Sequence, residues 1–307
     1  MKWIEIQIKT SKEAVDAVSN ILYDAGAEGV VIEDNDIDIS SFDWDYVDEN
    51  VLESLQEDSV ATVKGYLAQS SSVPDKISLI KERVNRLPDY NLDKGPGNVE
   101  TIEVDDEEWS NWKKYYKPIK IGPQIVIKPK WESYLPSDTE KVVEIDPGMA
   151  FGTGTHETTY MCINALQKYI KAGMDVIDVG CGSGILAITA VQLGANKVMA
   201  LDKDEMAVKV AEENIRLNRV EDRVSVRQNN LLDGIDFKGD LVIANIVADA
   251  IIKLLPCVGN NLKDKGVFIA SGIIKEREKD VMGYVDRCNF SLIERMEMGD
   301  WVTLILN

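Results

Sequence analysis

Cysteine and histidine are scarce in this chain of 307 residues, and their scarcity excludes several kinds of site. The four cysteines are scattered and form no C-x-x-C pair, so we expect neither a disulfide framework nor a cysteine zinc site. His156 is the only histidine, and one histidine cannot form a metal cluster, so we predict no bound metal. Reduced, scattered thiols are typical of a cytoplasmic protein.

Long apolar runs are also missing from the sequence. No stretch approaches the roughly 18 consecutive apolar residues that a membrane-spanning helix needs. The first residues, Met1-Lys2-Trp3-Ile4-Glu5, do not have the layout of a signal peptide. We therefore expect a cytoplasmic protein without membrane contact, and the chain length allows two domains.

Basic residues are scarce in the first third of the chain. Residues 1–110 contain 26 acidic and 9 basic side chains, a net charge of −17, whereas residues 111–307 contain 27 and 25, a net charge of −2. The segment from Glu33 to Asp58 has eleven acids and no base. It is either a solvated loop that aids solubility or an electrostatic docking surface for a basic partner. Because this charge repels phosphates, we expect no direct recognition of nucleic acid.

The first hundred residues predict a small α+β domain. Four segments have strand character, and they lie at residues 4–8, 29–32, 60–67 and 99–104. Helices are predicted at residues 11–25 and 74–87, which gives the order βαββαβ of a ferredoxin-like unit. We place this acidic domain at residues 1–106 and assign substrate recognition to it.

An aromatic and basic stretch follows, running from Trp109 to Lys117. Aromatic rings interleaved with lysines also suit nucleic acid, but a connecting helix that packs its rings on the neighbouring domains is favoured. We therefore predict a linker helix at residues 107–118 and a catalytic domain at residues 119–307.

The catalytic domain alternates strands and helices. A strand pair that turns at Gly122-Pro123 comes first. Five core strands and two paired tail strands are predicted at residues 176–179, 198–201, 224–227, 241–244, 267–270, 290–293 and 302–306. This alternation predicts an α/β fold with a doubly wound, mostly parallel, seven-stranded Rossmann-like sheet.

The first core strand ends in the alternating glycines Gly180, Gly182 and Gly184, and the next core strand ends in Asp202. Glycines at such a turn let a ligand approach the backbone, and an acid at the next strand end suits ribose hydroxyls. The spacing is G-x-G-x-G rather than the dinucleotide G-x-G-x-x-G, and no lysine makes the loop a P-loop. A ligand with ribose and adenine but no phosphate fits best.

Other polar residues follow later strands or precede a helix. If the ligand with ribose and adenine is a cofactor, Asn230 can pair with its adenine edge. The side-chain amide oxygen of Asn245 can accept an N–H from an incoming amine substrate, or the amide can help to hold the cofactor. The Gly- and Thr-rich segment 146–159 can close over the cofactor, and it supplies the candidates Phe151 for cofactor binding and Thr155 for catalysis. His156 either orders this segment or accepts a proton, and ordering is favoured.

The pattern D-x-G-x-G-x-G with its downstream acid resembles the first two motifs of class I S-adenosylmethionine-dependent methyltransferases. The run F-G-T-G-T-H-E-T-T at residues 151–159, the strand and turn at 176–184, Ala244-Asn245-Ile246 and the segment 112–118 resemble the ribosomal protein L11 methyltransferase (PrmA) family. The resemblance implies cofactor contacts at four positions, which are Thr159, Gly180, Asp202 and Asn245. The acidic segment from Glu33 to Asp58 is a departure from the family pattern. The resemblance therefore does not predict how the substrate docks.

The resemblance implies methyl transfer from S-adenosylmethionine, with S-adenosylhomocysteine as product. The acceptors would be lysine side chains, the N-terminal α-amine, or both, on a basic ribosomal protein that is free or on the ribosome. A methyltransferase for another protein or a small molecule is the alternative. The glycine spacing argues against a nicotinamide-dependent oxidoreductase, and the intact cofactor motif argues against a non-catalytic adapter.

Overall fold

The computed structural model describes residues 3–27, 30–33, 60–90, 92–104, 117–146 and 156–307. Most of the acidic segment, most of the predicted linker helix, and the candidates Phe151 and Thr155 lie outside these residues. The chain divides into two compact units, Met1–Tyr115 and Tyr116–Asn307. Among the described residues, none of the helices has both the length and the apolar character needed to span a bilayer.

The first unit has the predicted βαββαβ order. Its elements are β1 (Trp3–Ser11), α1 (Val15–Asp24), β2 (Val30–Glu33), β3 (Val60–Ala68), α2 (Val73–Asn85) and β4 (Asn98–Val104). The strands form one antiparallel sheet in the order β2-β3-β1-β4, as in a ferredoxin-like unit. Alternate residues of β1, including Ile6 and Ile8, are buried with apolar residues of both helices, which explains the period-2 pattern of the sequence.

The second unit begins with a small sheet. Strands β5 (Ile119–Ile121) and β6 (Ile125–Pro129) form the predicted hairpin, and β7 (Lys141–Ile145) pairs parallel to β6. The sequence pattern does not predict β7. This strand matters for the site because it directly precedes Asp146, the first residue of the Gly- and Thr-rich segment.

The main sheet of the second unit has seven strands in the order β10-β9-β8-β11-β12-β14-β13. These strands are β8 (Asp175–Val179), β9 (Lys197–Asp202), β10 (Val224–Gln228), β11 (Gly239–Asn245), β12 (Leu262–Ile274), β13 (Leu292–Met298) and β14 (Trp301–Leu306). Strands β10, β9, β8, β11 and β12 are mutually parallel, whereas β14 runs antiparallel to both of its neighbours. The predicted doubly wound, mostly parallel sheet is therefore confirmed.

Among the described residues of the second unit, five helices accompany this sheet, and they are α3 (Glu157–Tyr169), α4 (Ile185–Gln192), α5 (Glu205–Leu217), α6 (Ala248–Asn261) and α7 (Glu278–Arg287). Residues from Ile185 to Val191 are all buried, which explains why all of them except Thr189 are apolar. The central strands are buried as well, with Val176, Ile177 and Val179 each at most 1% exposed. Their burial on both faces explains why they appear in the sequence as continuous apolar runs.

Candidate functional site

The loop after β8 requires glycine at three positions. Gly180, Gly182 and Gly184 have φ angles of 74°, 52° and 79°, a region that side chains rarely adopt. The N–H groups of Gly180 and Cys181 donate to the carbonyl oxygen of Leu201 at 2.7 and 3.0 Å. The glycine loop is thereby fixed to the end of β9, and Gly184 caps the start of α4.

Asp202 ends β9 and is half-buried beside the glycine loop. Its Oδ2 accepts the N–H of Gly182 at 2.9 Å, and its Oδ1 accepts the N–H of Asp204 at 3.0 Å. These two bonds fix the orientation of the carboxylate, while each oxygen keeps capacity for a further donor. The structure therefore brings two of the predicted cofactor residues, Gly182 and Asp202, into direct contact.

Asp178 is the acid that opens the D-x-G-x-G-x-G pattern, and the sequence alone predicts no role for it in the site. It lies within β8, is fully buried, and accepts the N–H of Ala187 at 3.0 Å through Oδ2. Its Oδ1 has no hydrogen-bond partner among the described residues. Burial raises the pKa of Asp178 to about 7, opposed by the Ala187 N–H and reinforced by the nearby charge of Asp202. An acid within an apolar run was the sequence signal for this carboxyl group.

Asn245 and Thr159 come together from two separate elements. Asn245 ends β11, and its Nδ2 lies 3.5 Å from Oγ1 of Thr159 in the first turn of α3, at the outer limit of a hydrogen bond. Thr159 is 1% exposed, whereas Asn245 is half-buried. The pairing uses the side-chain nitrogen Nδ2 of Asn245 and leaves its side-chain oxygen Oδ1 available to accept a hydrogen bond.

Ile246 fixes the position of Asn245 relative to the glycine loop. A Cβ at Gly180 would lie 2.3 Å from Cγ2 of Ile246, and a Cβ at Gly272 would lie 2.4 Å from its carbonyl oxygen. The N–H of Ile246 donates to Ser271 at 3.2 Å. The ends of β8, β11 and β12 therefore meet around one isoleucine, and glycine is needed on two sides of it.

His156 caps α3. Its Nδ1 accepts the N–H of Thr158 at 3.3 Å and lies 2.8 Å from Oγ1 of the same residue. The imidazole ring contacts Trp301 edge-on, with centroids 5.0 Å apart. This cap orders the first turn of α3. The ordering of the Gly- and Thr-rich segment by His156 and catalysis by His156 both stay predictions.

Asn230 lies in the turn after β10. Its Nδ2 donates to Oδ2 of Asp233 at 3.0 Å, and its side chain is exposed. The neighbouring Asn229 donates its backbone N–H to the carbonyl oxygen of Asp202 at 2.7 Å. The turn is thus attached to Asp202, but the structure does not bring the Asn230 amide to another predicted site residue, and its contact with adenine stays a prediction.

The described residues contain no group of three or more His, Cys, Asp or Glu side chains that could hold a metal ion. Cys181 is buried within the glycine loop, and burial raises the pKa of its thiol well above the usual value. It is therefore a neutral packing group. The remaining features suit an adenosyl ligand, because an anchored carboxylate faces a loop of accessible backbone and the loop has no cation for a phosphate.

Comparisons with known proteins identify the family of the chain. The family model for ribosomal protein L11 methyltransferase (PrmA) matches residues 2–307. The ribosomal protein L11 methyltransferase of Alkaliphilus metalliredigens is 50% identical over 310 residues, 99% of this chain and 97% of that protein. Its namesake from Caldicellulosiruptor saccharolyticus is 50% identical over 306 residues, 99% of each.

A solved structure gives the same result. The crystal structure of ribosomal protein L11 methylase from Lactobacillus delbrueckii subsp. bulgaricus has a TM-score of 0.60 and 33% sequence identity to this chain. The matched region covers 62% of this chain and 98% of the chain in the crystal structure. The chain described above belongs to the ribosomal protein L11 methyltransferase (PrmA) family.

Proposed function

We propose that this protein transfers methyl groups from S-adenosylmethionine to amines of ribosomal protein L11, at lysine side chains, the N-terminal α-amine, or both. Methylation of L11 with S-adenosylmethionine is the activity of the family to which the chain belongs. The amine specificity is our proposal. The single observation that supports the site most strongly is the Asp202 carboxylate hydrogen-bonded to Gly182.

We assign cofactor binding to the glycine loop and the strand ends around it. Asp202 would accept hydrogen bonds from ribose hydroxyls, and the backbone at Gly180 and Gly182 would lie against the ligand. Asn245 and Thr159 would hold the methionine end of the cofactor. When bound, the sulfonium centre supplies an already activated methyl group, so the protein mainly has to position the acceptor. We also assign Phe151 and Asn230 to cofactor binding.

The acceptor amine must be neutral to attack. A free lysine has a pKa near about 10.4 and is almost entirely protonated at pH 7. A half-buried site disfavours the charged form. The carbonyl oxygen of Asn245 would accept an amine N–H and orient the nitrogen lone pair, together with the Thr155 hydroxyl. We propose no dedicated strong base, because Nδ1 of His156 is used in capping α3 and Asp178 is fully buried.

The partner fits the charge of the chain. The net charge of −17 over residues 1–110 favours a basic protein over nucleic acid. We therefore propose that the first unit docks a basic ribosomal protein, free or on the ribosome. The alternative acceptor, another protein or a small molecule, would not need this charge.

The test is methylation of purified, unmethylated L11 with labelled S-adenosylmethionine, followed by mass spectrometry of the labelled residues. We expect label on lysine or N-terminal amines, and a loss of labelling in Asp202→Ala. Asp204→Ala is the matched control, because the Asp204 side chain is exposed and caps α5. Its Oδ1 accepts the N–H of Met206 at 2.9 Å. Label on another residue type, or equal loss in both variants, would contradict the proposal.

A further inference from the structure

Asn214 is a buried amide on the face of α5 that also carries the buried residues Ala207, Val210, Ala211 and Ile215. It is only 1% exposed. A buried primary amide is costly unless its oxygen and its nitrogen both find partners. Both do so here, and each partner is a backbone group from a different part of the site.

The two partners of Asn214 belong to the two glycine-rich segments. Its Oδ1 accepts the N–H of Asp146 at 2.9 Å, directly after β7 and at the first residue of the Gly- and Thr-rich segment 146–159. Its Nδ2 donates to the carbonyl oxygen of Ser183 at 2.9 Å, between Gly182 and Gly184. One side chain therefore joins the start of the Gly- and Thr-rich segment to the glycine loop.

A second asparagine on the same helix provides an internal comparison. Oδ1 of Asn218 accepts the N–H of Glu144 at 2.8 Å, and its Nδ2 donates to Glu144 at 2.6 Å and to Asn214 at 2.7 Å. Both asparagines thus hold β7 against α5. Asn214 alone of the two contacts the glycine loop.

We propose that Asn214 is a positioning residue for the cofactor site. It holds the glycine loop at a fixed distance from Asp146, the residue after β7, so that the glycine loop meets the cofactor without reorganisation on binding. Preorganised contacts of this kind contribute to affinity because no ordering cost remains at the moment of binding. This inference rests on the cofactor site proposed above.

The test compares two identical substitutions on one helix. Studied at pH 9, where a buried carboxyl group is ionised, Asn214→Asp keeps the acceptor for Asp146 and replaces the donor to Ser183 with a repelling oxygen, whereas Asn218→Asp makes the same change away from the glycine loop. Affinity for S-adenosylhomocysteine is measured by calorimetry, and the free energy of unfolding by urea titration. We expect Asn214→Asp to weaken binding by at least about tenfold, and Asn218→Asp to bind within about twofold of the parent protein.

Several results would overturn the inference. Unchanged affinity in Asn214→Asp, or an equal loss of affinity in both variants, would reduce Asn214 to a packing residue. If Asn214→Asp does not fold, Asn214→Ser replaces it, because a hydroxyl on the shorter side chain loses at least one of the two partners. Asp202→Ala separates the two claims, since unchanged affinity in that variant refutes the cofactor site itself.

Discussion

The buried carboxyl group of Asp178 makes the stability of this protein depend on pH in an unusual direction. Its pKa in the folded protein is about 7, against an ordinary value of 3.8, because burial disfavours the charged form. The folded state therefore binds the proton more tightly than the unfolded state. The stability that the neutral carboxyl group contributes is complete below about pH 4 and is lost as the pH rises towards 7.

The magnitude follows from the two pKa values. A difference of about 3 units at 1.36 kcal/mol per unit corresponds to about 4 kcal/mol between the acidic and alkaline limits. Between pH 5 and pH 8, where the protein can be studied more easily, the loss is about 3 kcal/mol. Other carboxylates of the chain also titrate, so the effect must be read as a difference between two variants.

Asp178→Asn removes the titration and keeps the shape of the side chain. Its carbonyl oxygen can still accept the N–H of Ala187, while its NH2 group replaces the oxygen that has no partner and adds a cost of about 1–3 kcal/mol at every pH. Urea unfolding of both proteins at pH 5, 6, 7 and 8 gives the difference in unfolding free energy. We expect the variant to gain about 3 kcal/mol relative to the parent protein from pH 5 to pH 8. A difference that does not change with pH would refute the reasoning.

Three further predictions concern the proposed site. Asp202→Ala should weaken S-adenosylhomocysteine binding more than about tenfold by calorimetry, because the ribose loses its acceptor; unchanged affinity contradicts this. Gly180→Ala should lower the unfolding free energy by about 2–5 kcal/mol, because its Cβ would lie 2.3 Å from Ile246 at a φ of 74°. Gly283→Ala is the control, since a Cβ there would meet nothing within 4 Å. A loss of unfolding free energy in Gly283→Ala as large as in Gly180→Ala would contradict this prediction. His156→Ala should keep the shape of the pH–rate profile, whereas loss of one limb with intact cofactor binding would identify His156 as the base.

The sequence predicts the parts of the fold whose side chains follow a strict period or composition. The central strands of the large sheet appear as apolar runs because both of their faces are buried. Strand β13 (Leu292–Met298) was placed too early, at residues 290–293, because it is an edge strand. Its charged side chains form ion pairs, such as that between Arg295 and Glu278. These charged residues interrupt the alternation of apolar and polar residues that would identify a strand in the sequence.

The same contrast holds within the site. Gly180, Gly182 and Asp202 are identifiable because a tight turn and a ribose acceptor each demand one residue type at one spacing. Asp178 and Asn214 were not recognised as site residues. Their roles depend on partners distant in the sequence or on complete burial, and the partners of Asn214 are 68 and 31 residues away. A polar residue in an apolar stripe does not reveal which backbone groups it meets.

The most direct test of the account is the fate of labelled methyl groups when the protein is incubated with S-adenosylmethionine and unmethylated ribosomal proteins. We expect label on amines of L11, and we expect Asp202→Ala to abolish this labelling and Asp204→Ala to keep it. Label that appears on another protein or a small molecule, with none on L11 amines, would contradict the account.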